Sequence, residues 1–313
     1  MNSKLAMVFP GQGSQSIGML KELAAEFPQI QITFAEASEV LNYDLWDLTQ
    51  NGPIEKLNQT EFTQPALLTA GVAVWKIWRE KNHTLPAFMA GHSLGEYTAL
   101  VCAEAITFID AVKLVRDRGH FMQNAYHSKG AMVAIVGLSD DLIEQICSEA
   151  ARTEVLVPAN YNSIGQTVLA GQLSAARRAV DLAKNAGAKI AKLLPVSVPS
   201  HCALMKPAAE QLLRRLEQVA ISTPKIPVIH NADVANYHDP NEIRAVLARQ
   251  LYSPVRWVET IQLMINNGVN HVLECGPGKV LTGLNKRIST EIITDFLGEP
   301  SKIVNIGNGN NAG

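Results

Sequence analysis

Residues 91–97 read GHSLGEY, between the apolar stretch Ala87-Phe88-Met89-Ala90 and a second one that begins Thr98-Ala99-Leu100-Val101. The first five fit G-x-S-x-G, in which a strand turns sharply into a helix and holds a serine, here Ser93, exposed on a strained backbone. Glycines flank the serine because a side chain there collides with the neighbouring strand or helix. The pattern alone is short enough to arise by chance. Its context sharpens it, since an apolar strand before and an amphipathic run after are what such an elbow requires. An ordinary serine in a strand-to-helix turn stays open as the second reading.

Two more apolar segments run into glycine turns. Leu5 to Phe9 precedes Gly11-Gln12-Gly13, and His271 to Glu274 precedes Gly276-Pro277-Gly278. Strand, turn and helix repeated at large separation predict an α/β domain with a mainly parallel sheet, whose ligands bind at the carboxyl ends of the strands. Between residues 17 and 86 the helical period dominates. Gln64 to Trp75 reads as helix with Pro65 in its first turn, and a second long helix is expected from Phe108 to Ala125.

Residues 130–196 change character. Ala131 to Gly137, Val155 to Tyr161, Thr167 to Gly171 and Ile190 to Val196 read as strands, with helices over Asp140 to Arg152 and Ser174 to Ala186. That βαββαβ order is the ferredoxin-like pattern. The expected organisation is a discontinuous large domain, residues 1–128 and 198–306, a small domain inserted at 129–197, and a polar, glycine-rich, flexible tail at 307–313.

Composition narrows the function. The 313 residues are 47% hydrophobic, enough for a sizeable core, and 27 basic against 29 acidic side chains leave a formal charge of −2. No basic excess marks a nucleic-acid partner. The apolar start before Pro10 is too short for a signal peptide, and no run is long enough to cross a bilayer, so a cytoplasmic protein without a membrane partner is expected. Cys102, Cys147, Cys202 and Cys275 are widely spaced, which fits reduced thiols. The histidines show no paired helical spacing, so no metal is expected.

A serine nucleophile needs a base. His201 follows Ser197-Val198-Pro199-Ser200, where the inserted unit returns to the large domain, a place suited to facing a cleft. No acid lies near it in sequence, and a backbone carbonyl would serve to orient the imidazole. Leu114, Arg118 and Met122 recur at helical spacing, which puts Arg118 on an apolar stripe and leaves Lys113 and Arg116 off it. Such an arginine either makes a structural salt bridge or grips a ligand carboxylate with both arms of its guanidinium. Gly11-Gln12-Gly13-Ser14-Gln15-Ser16 looks like a dinucleotide-binding loop without its third glycine, but Ile32 to Val40 is helical where that reading needs a strand. The loop's other use is to offer a backbone N–H to an oxyanion. Gly276-Pro277-Gly278-Lys279 is equally a phosphate cradle or a plain turn. Nothing in sequence activates Cys202.

Taken together, these motifs resemble the malonyl-CoA:acyl carrier protein transacylases of bacterial fatty-acid synthesis. The resemblance runs through Phe9 to Gln15, Thr63-Gln64-Pro65-Ala66, Gly91 to Tyr97, Arg118-Gly119, Asn162-Ser163, Ser197 to His201, Gln250-Leu251-Tyr252 and Gly276 to Gly278. It implies a large α/β-hydrolase-like domain, a ferredoxin-like small domain and an active site between them. It also implies Ser93 as nucleophile and His201 as general base, then acid. The N–H groups of Gln12 and Leu94 would form the oxyanion hole. Arg118 would hold the malonyl carboxylate, the Gln250 carbonyl would orient His201, and Gln64 and Asn162 would line the pocket. The implied partners are malonyl-CoA and the phosphopantetheine thiol of acyl carrier protein, with no metal or bound cofactor. A monomer is the default expectation. A serine esterase or thioesterase on the same elbow, and a non-catalytic carrier-binding module, are the competing readings. Arg118 argues against the first, intact Ser93 and His201 against the second.

Overall fold

The structure is a computed structural model that describes residues 4–82, 84–196 and 198–303. The expected flexible tail, 307–313, and Ser197 lie outside the described residues. The first sheet carries β1 (Leu5–Phe9), β2 (Phe88–Gly91), β7 (Val228–Ile229), β8 (His271–Glu274) and β9 (Ile293–Phe296) in the order β7-β2-β1-β8-β9. Every neighbouring pair is parallel. Central β1, LAMVF, is almost wholly buried, because a parallel sheet carries helices on both faces. Side chains alternate between the faces of a strand. Met7 and Phe9 therefore join the core beneath the helices Gln29–Leu41, Thr60–Lys81, Phe108–Asn124 and Lys206–Leu216. Ala6 and Val8 face the opposite core, under Trp257–Asn266 and Val280–Ile288.

The helix around Pro65 starts earlier than expected. It spans Thr60–Lys81, so Pro65 sits inside it and not in its first turn. A proline there has no N–H for the carbonyl four residues back. Continuous burial from Thr63 to Trp75 overrides that local cost through packing. The first glycine turn also differs, since the helix after it, Lys21–Glu26, begins only after a run of turns.

The second sheet contains β3 (Gly130–Val136), β4 (Leu156–Ser163), β5 (Gln166–Gln172) and β6 (Ile190–Leu193), antiparallel, in the order β4-β5-β3-β6. With Asp140–Ala151 and Leu173–Asn185 as its two helices, this is a ferredoxin-like unit. Val133, Ile135 and Leu169 pack on those helices. Met132, Val168 and Ala170 pack on the other side with Cys202. The sheet is stitched to the rest of the molecule where Tyr161 N–H donates to the Val255 carbonyl at 2.9 Å and Val255 N–H donates to Ala159 at 2.8 Å. Its inner face thus becomes one wall of a cleft over the carboxyl end of the parallel sheet. Among the described residues, no helix is long and apolar enough to cross a membrane.

Candidate active site

The elbow forms because β1, β2 and the helix Gly95–Cys102 touch at their backbones. A Cβ on Gly91 would stand 1.8 Å from the Gly95 carbonyl carbon, and one on Gly95 would stand 2.1 Å from the Phe9 carbonyl oxygen. Only glycine fits either place. Ser93 between them takes φ 50°, the left-handed region that L-residues with side chains rarely adopt. His92 N–H donates to Phe9 and Gly95 N–H to His92, both at 2.9 Å, which closes the turn. Gly11 is pressed equally close, since a Cβ there would lie 2.4 Å from the His92 carbonyl oxygen. That contact sets Gln12 beside the serine. Gln12 and Leu94 both line the pocket at Ser93, and Leu94 precedes the helix whose first N–H groups lack helical acceptors.

His201, also at positive φ (64°), is buried and meets the serine. Its Nε2 lies 2.8 Å from Ser93 Oγ, and its Nδ1 lies 2.9 Å from the Gln250 carbonyl oxygen. A carbonyl can only accept, so Nδ1 carries the proton and Nε2 presents its lone pair to the serine hydroxyl. Gln250 is the last residue of the helix Pro240–Gln250, where carbonyls are left without helical donors. The His201 main-chain N–H is held as well, by Leu251 at 2.9 Å. Burial first, then the Arg118 guanidinium, push the His201 pKa down to about 3, so the imidazole is neutral and able to accept a proton at neutral pH.

Arg118 lies on the buried face of its helix with Leu114 and Met122 and is 1% exposed. Nη2 donates to Gln250 Oε1 at 2.8 Å and to Ser93 Oγ at 3.3 Å, and the guanidinium sits 5.3 Å from the Tyr97 ring centroid. Its Nε is buried and has no hydrogen-bond partner among the described residues. Among the described residues no carboxylate forms a salt bridge with it, so the structural ion pair left open by the sequence is not its role here. A buried cation with no carboxylate in direct contact among the described residues, its nearest acid, Glu96, held off behind Gln250, and touching a serine hydroxyl, is placed to receive an acidic ligand.

Ser93, His201, Arg118, Gln12, Leu94, Gln64 and Asn162 line one cavity of about 230 Å³, with the Gln250 carbonyl behind His201. Met132, Val168 and Val196 close it from the inserted unit, and Asn162 bonds His92 across it at 2.8 Å. His92 therefore faces the pocket. A larger groove of about 780 Å³ elsewhere contains none of these residues. The third glycine turn is a support. A Cβ on Gly276 would lie 2.9 Å from the Pro10 ring, and the following helix N-terminus is filled by Glu274, which accepts from Leu281 and Thr282 N–H at 3.0 and 2.7 Å. Those are the donors that a phosphate would use. Cys202 is buried, and burial pushes its thiol up to about 11, which leaves it unreactive.

Sequence reasoning gives three residues at the site no role, although Glu96 lies in the motif itself. Glu96, His230 and Asn231 are fully buried behind the elbow. Asn231 Oδ1 accepts the Ser93 N–H at 2.7 Å, and its Nδ2 donates to the Gly91 carbonyl at 2.7 Å.

The acyl transferase domain family matches residues 6–290. A malonyl CoA-acyl carrier protein transacylase of Salmonella typhimurium is 54% identical over 302 residues, 96% of this chain and 98% of the relative. The chain belongs to this transacylase family. The malonyl CoA-acyl carrier protein transacylase of Coxiella burnetii has the same fold, with TM-score 0.96 and 51% identity over 97% of this chain and 96% of that one. A malonyl-transacylase solved in complex with its type II PKS acyl-carrier protein matches equally well, with TM-score 0.96 and 51% identity over 99% and 100% of the two chains.

Proposed function

We propose that the protein moves the malonyl group of malonyl-CoA to the phosphopantetheine thiol of an acyl carrier protein, through malonyl-Ser93. The observation that carries this reading is Arg118, a buried cation without a carboxylate partner and 3.3 Å from the Ser93 hydroxyl. Ser93 Oγ attacks the thioester carbon and gives its proton to His201 Nε2, while the N–H groups of Gln12 and Leu94 receive the oxyanion. Collapse expels CoA, and the proton on His201 goes to its sulfur. The carrier's thiol then passes its proton to the same nitrogen, attacks the acyl carbon, and Ser93 recovers its proton from His201 as it leaves. The cycle needs no metal or resident cofactor. In this reading the cleft lies between the large domain, 1–128 and 198–306, and the inserted unit, 129–197, and the enzyme works as a cytoplasmic monomer that supplies fatty-acid synthesis. The complex of the related transacylase with its acyl-carrier protein supports the choice of acceptor.

Replacing Arg118 tests the reading. Arg118→Ala loses malonyl transfer by about a hundredfold or more, the cost of an unpaired buried carboxylate, and loses far less acetyl transfer. Steady-state kcat/KM for the two thioesters measures both, and an equal loss sinks the role.

A further inference from the structure

Glu96, in the first turn of the elbow helix, is fully buried and holds two segments at once. Its Oε1 lies 2.7 Å from His230 Nδ1, and its Oε2 accepts from Asn231 N–H and from Gln250 Nε2, both at 2.9 Å. Gln250 Nε2 spends its other proton on the Ser93 carbonyl at 2.9 Å. Both acceptors demand the NH₂ end of the amide, so its oxygen has one place left to point, towards Arg118 Nη2 at 2.8 Å. A flipped amide would set oxygen against a carboxylate and a carbonyl, and NH₂ against a guanidinium. The segment after β7 is equally constrained, with Val234 at φ 55°, unfavourable for a β-branched residue, and bonds between His230 and both Val234 and Ala235 at 2.9 Å.

We infer that Glu96 is a positioning residue for acyl selection: it fixes the Gln250 amide, which aims Arg118 at the acyl site, and it anchors Asn231, which holds the serine's backbone. Glu96 touches no reacting atom. This inference rests on the malonyl-transfer reading and extends it to a residue behind the pocket.

A double-mutant cycle of Glu96→Leu and Gln250→Ala, followed by kcat/KM for malonyl-CoA and acetyl-CoA, tests the connection. Each single change lowers the malonyl-to-acetyl preference about tenfold, as expected for losing a hydrogen bond to a charged group. The double variant loses no more than the worse single. Glu96→Gln keeps acceptor and shape, because its NH₂ end can donate to His230 Nδ1 once that ring carries its proton on Nε2, while its oxygen still accepts from Asn231 and Gln250. It restores the preference to within about threefold, and Glu96→Ala takes the place of Glu96→Leu in the cycle if the latter does not fold. Effects that multiply in the Glu96→Leu cycle, an unchanged preference in Glu96→Leu, or a preference in Glu96→Gln as low as in Gln250→Ala overturn the inference. If the wild type takes no malonyl group, the functional reading fails separately. The same cycle is then read from Ser93 sulfonylation by phenylmethylsulfonyl fluoride, where non-additive rates support the Glu96–Gln250 link and additive rates overturn it.

Discussion

Ser93 Oγ has two neighbours with opposite demands, a histidine nitrogen that accepts a hydrogen bond from it and an arginine that donates to it. Burial and the arginine's charge both disfavour imidazolium, and they set the pH range in which the base is available. The expected outcome is that inactivation by phenylmethylsulfonyl fluoride, a neutral reagent that needs no carboxylate clamp, keeps a level His201 contribution from pH 8 to pH 5. An inflection near the ordinary histidine value of about 6.5 would contradict this. Arg118→Gln removes the charge, so the His201 pKa rises and the acid limb moves towards neutrality. Arg118 was legible in sequence because a charge on an apolar stripe breaks a pattern, and His201 because it stands at a junction. Glu96 was not. An acid in a helix's first turn is ordinary, and its partners are 134 to 154 residues away.

Elements meet here at backbone distance, and the elbow depends on it. Gly95→Ala would put a methyl 2.1 Å from a strand carbonyl oxygen, which neither the helix nor β1 can avoid without moving. Thermal unfolding should show a loss of about 3 kcal/mol or more, the upper range for overpacking, with loss of acylation as Ser93 shifts. Wild-type stability and rate in that variant would contradict the close packing. β1 and β8 were readable residue by residue, because each is an apolar run that ends at a glycine turn. β7 spans two residues, too few for any period, and β9 is a short edge strand with Ile293 exposed. Pro65 misplaced a helix start, since local chemistry favours proline in the first turn while packing decided otherwise.

The candidate site lies where a parallel and an antiparallel sheet face each other. Parallel β1 and β2 supply the elbow, and the inner face of the antiparallel unit supplies Met132, Asn162 and Val168. The βαββαβ order was legible because its elements, apart from the four-residue β6, which ends at Leu193 and not at Val196, are long enough to show their period. The bonds that join the units were not, because pairs such as His92 with Asn162 and Tyr161 with Val255 depend on how the units are set against each other. The central claim is that this cleft makes Ser93 an acyl acceptor. Intact-protein mass spectrometry after mixing wild type and Ser93→Ala with malonyl-CoA, without acceptor, tests it most directly. The account predicts a single malonyl adduct on the wild type and none on Ser93→Ala. An adduct on both proteins would place the chemistry on another residue, and no adduct on either, with acetyl-CoA and methylmalonyl-CoA also failing, would contradict covalent transfer through Ser93.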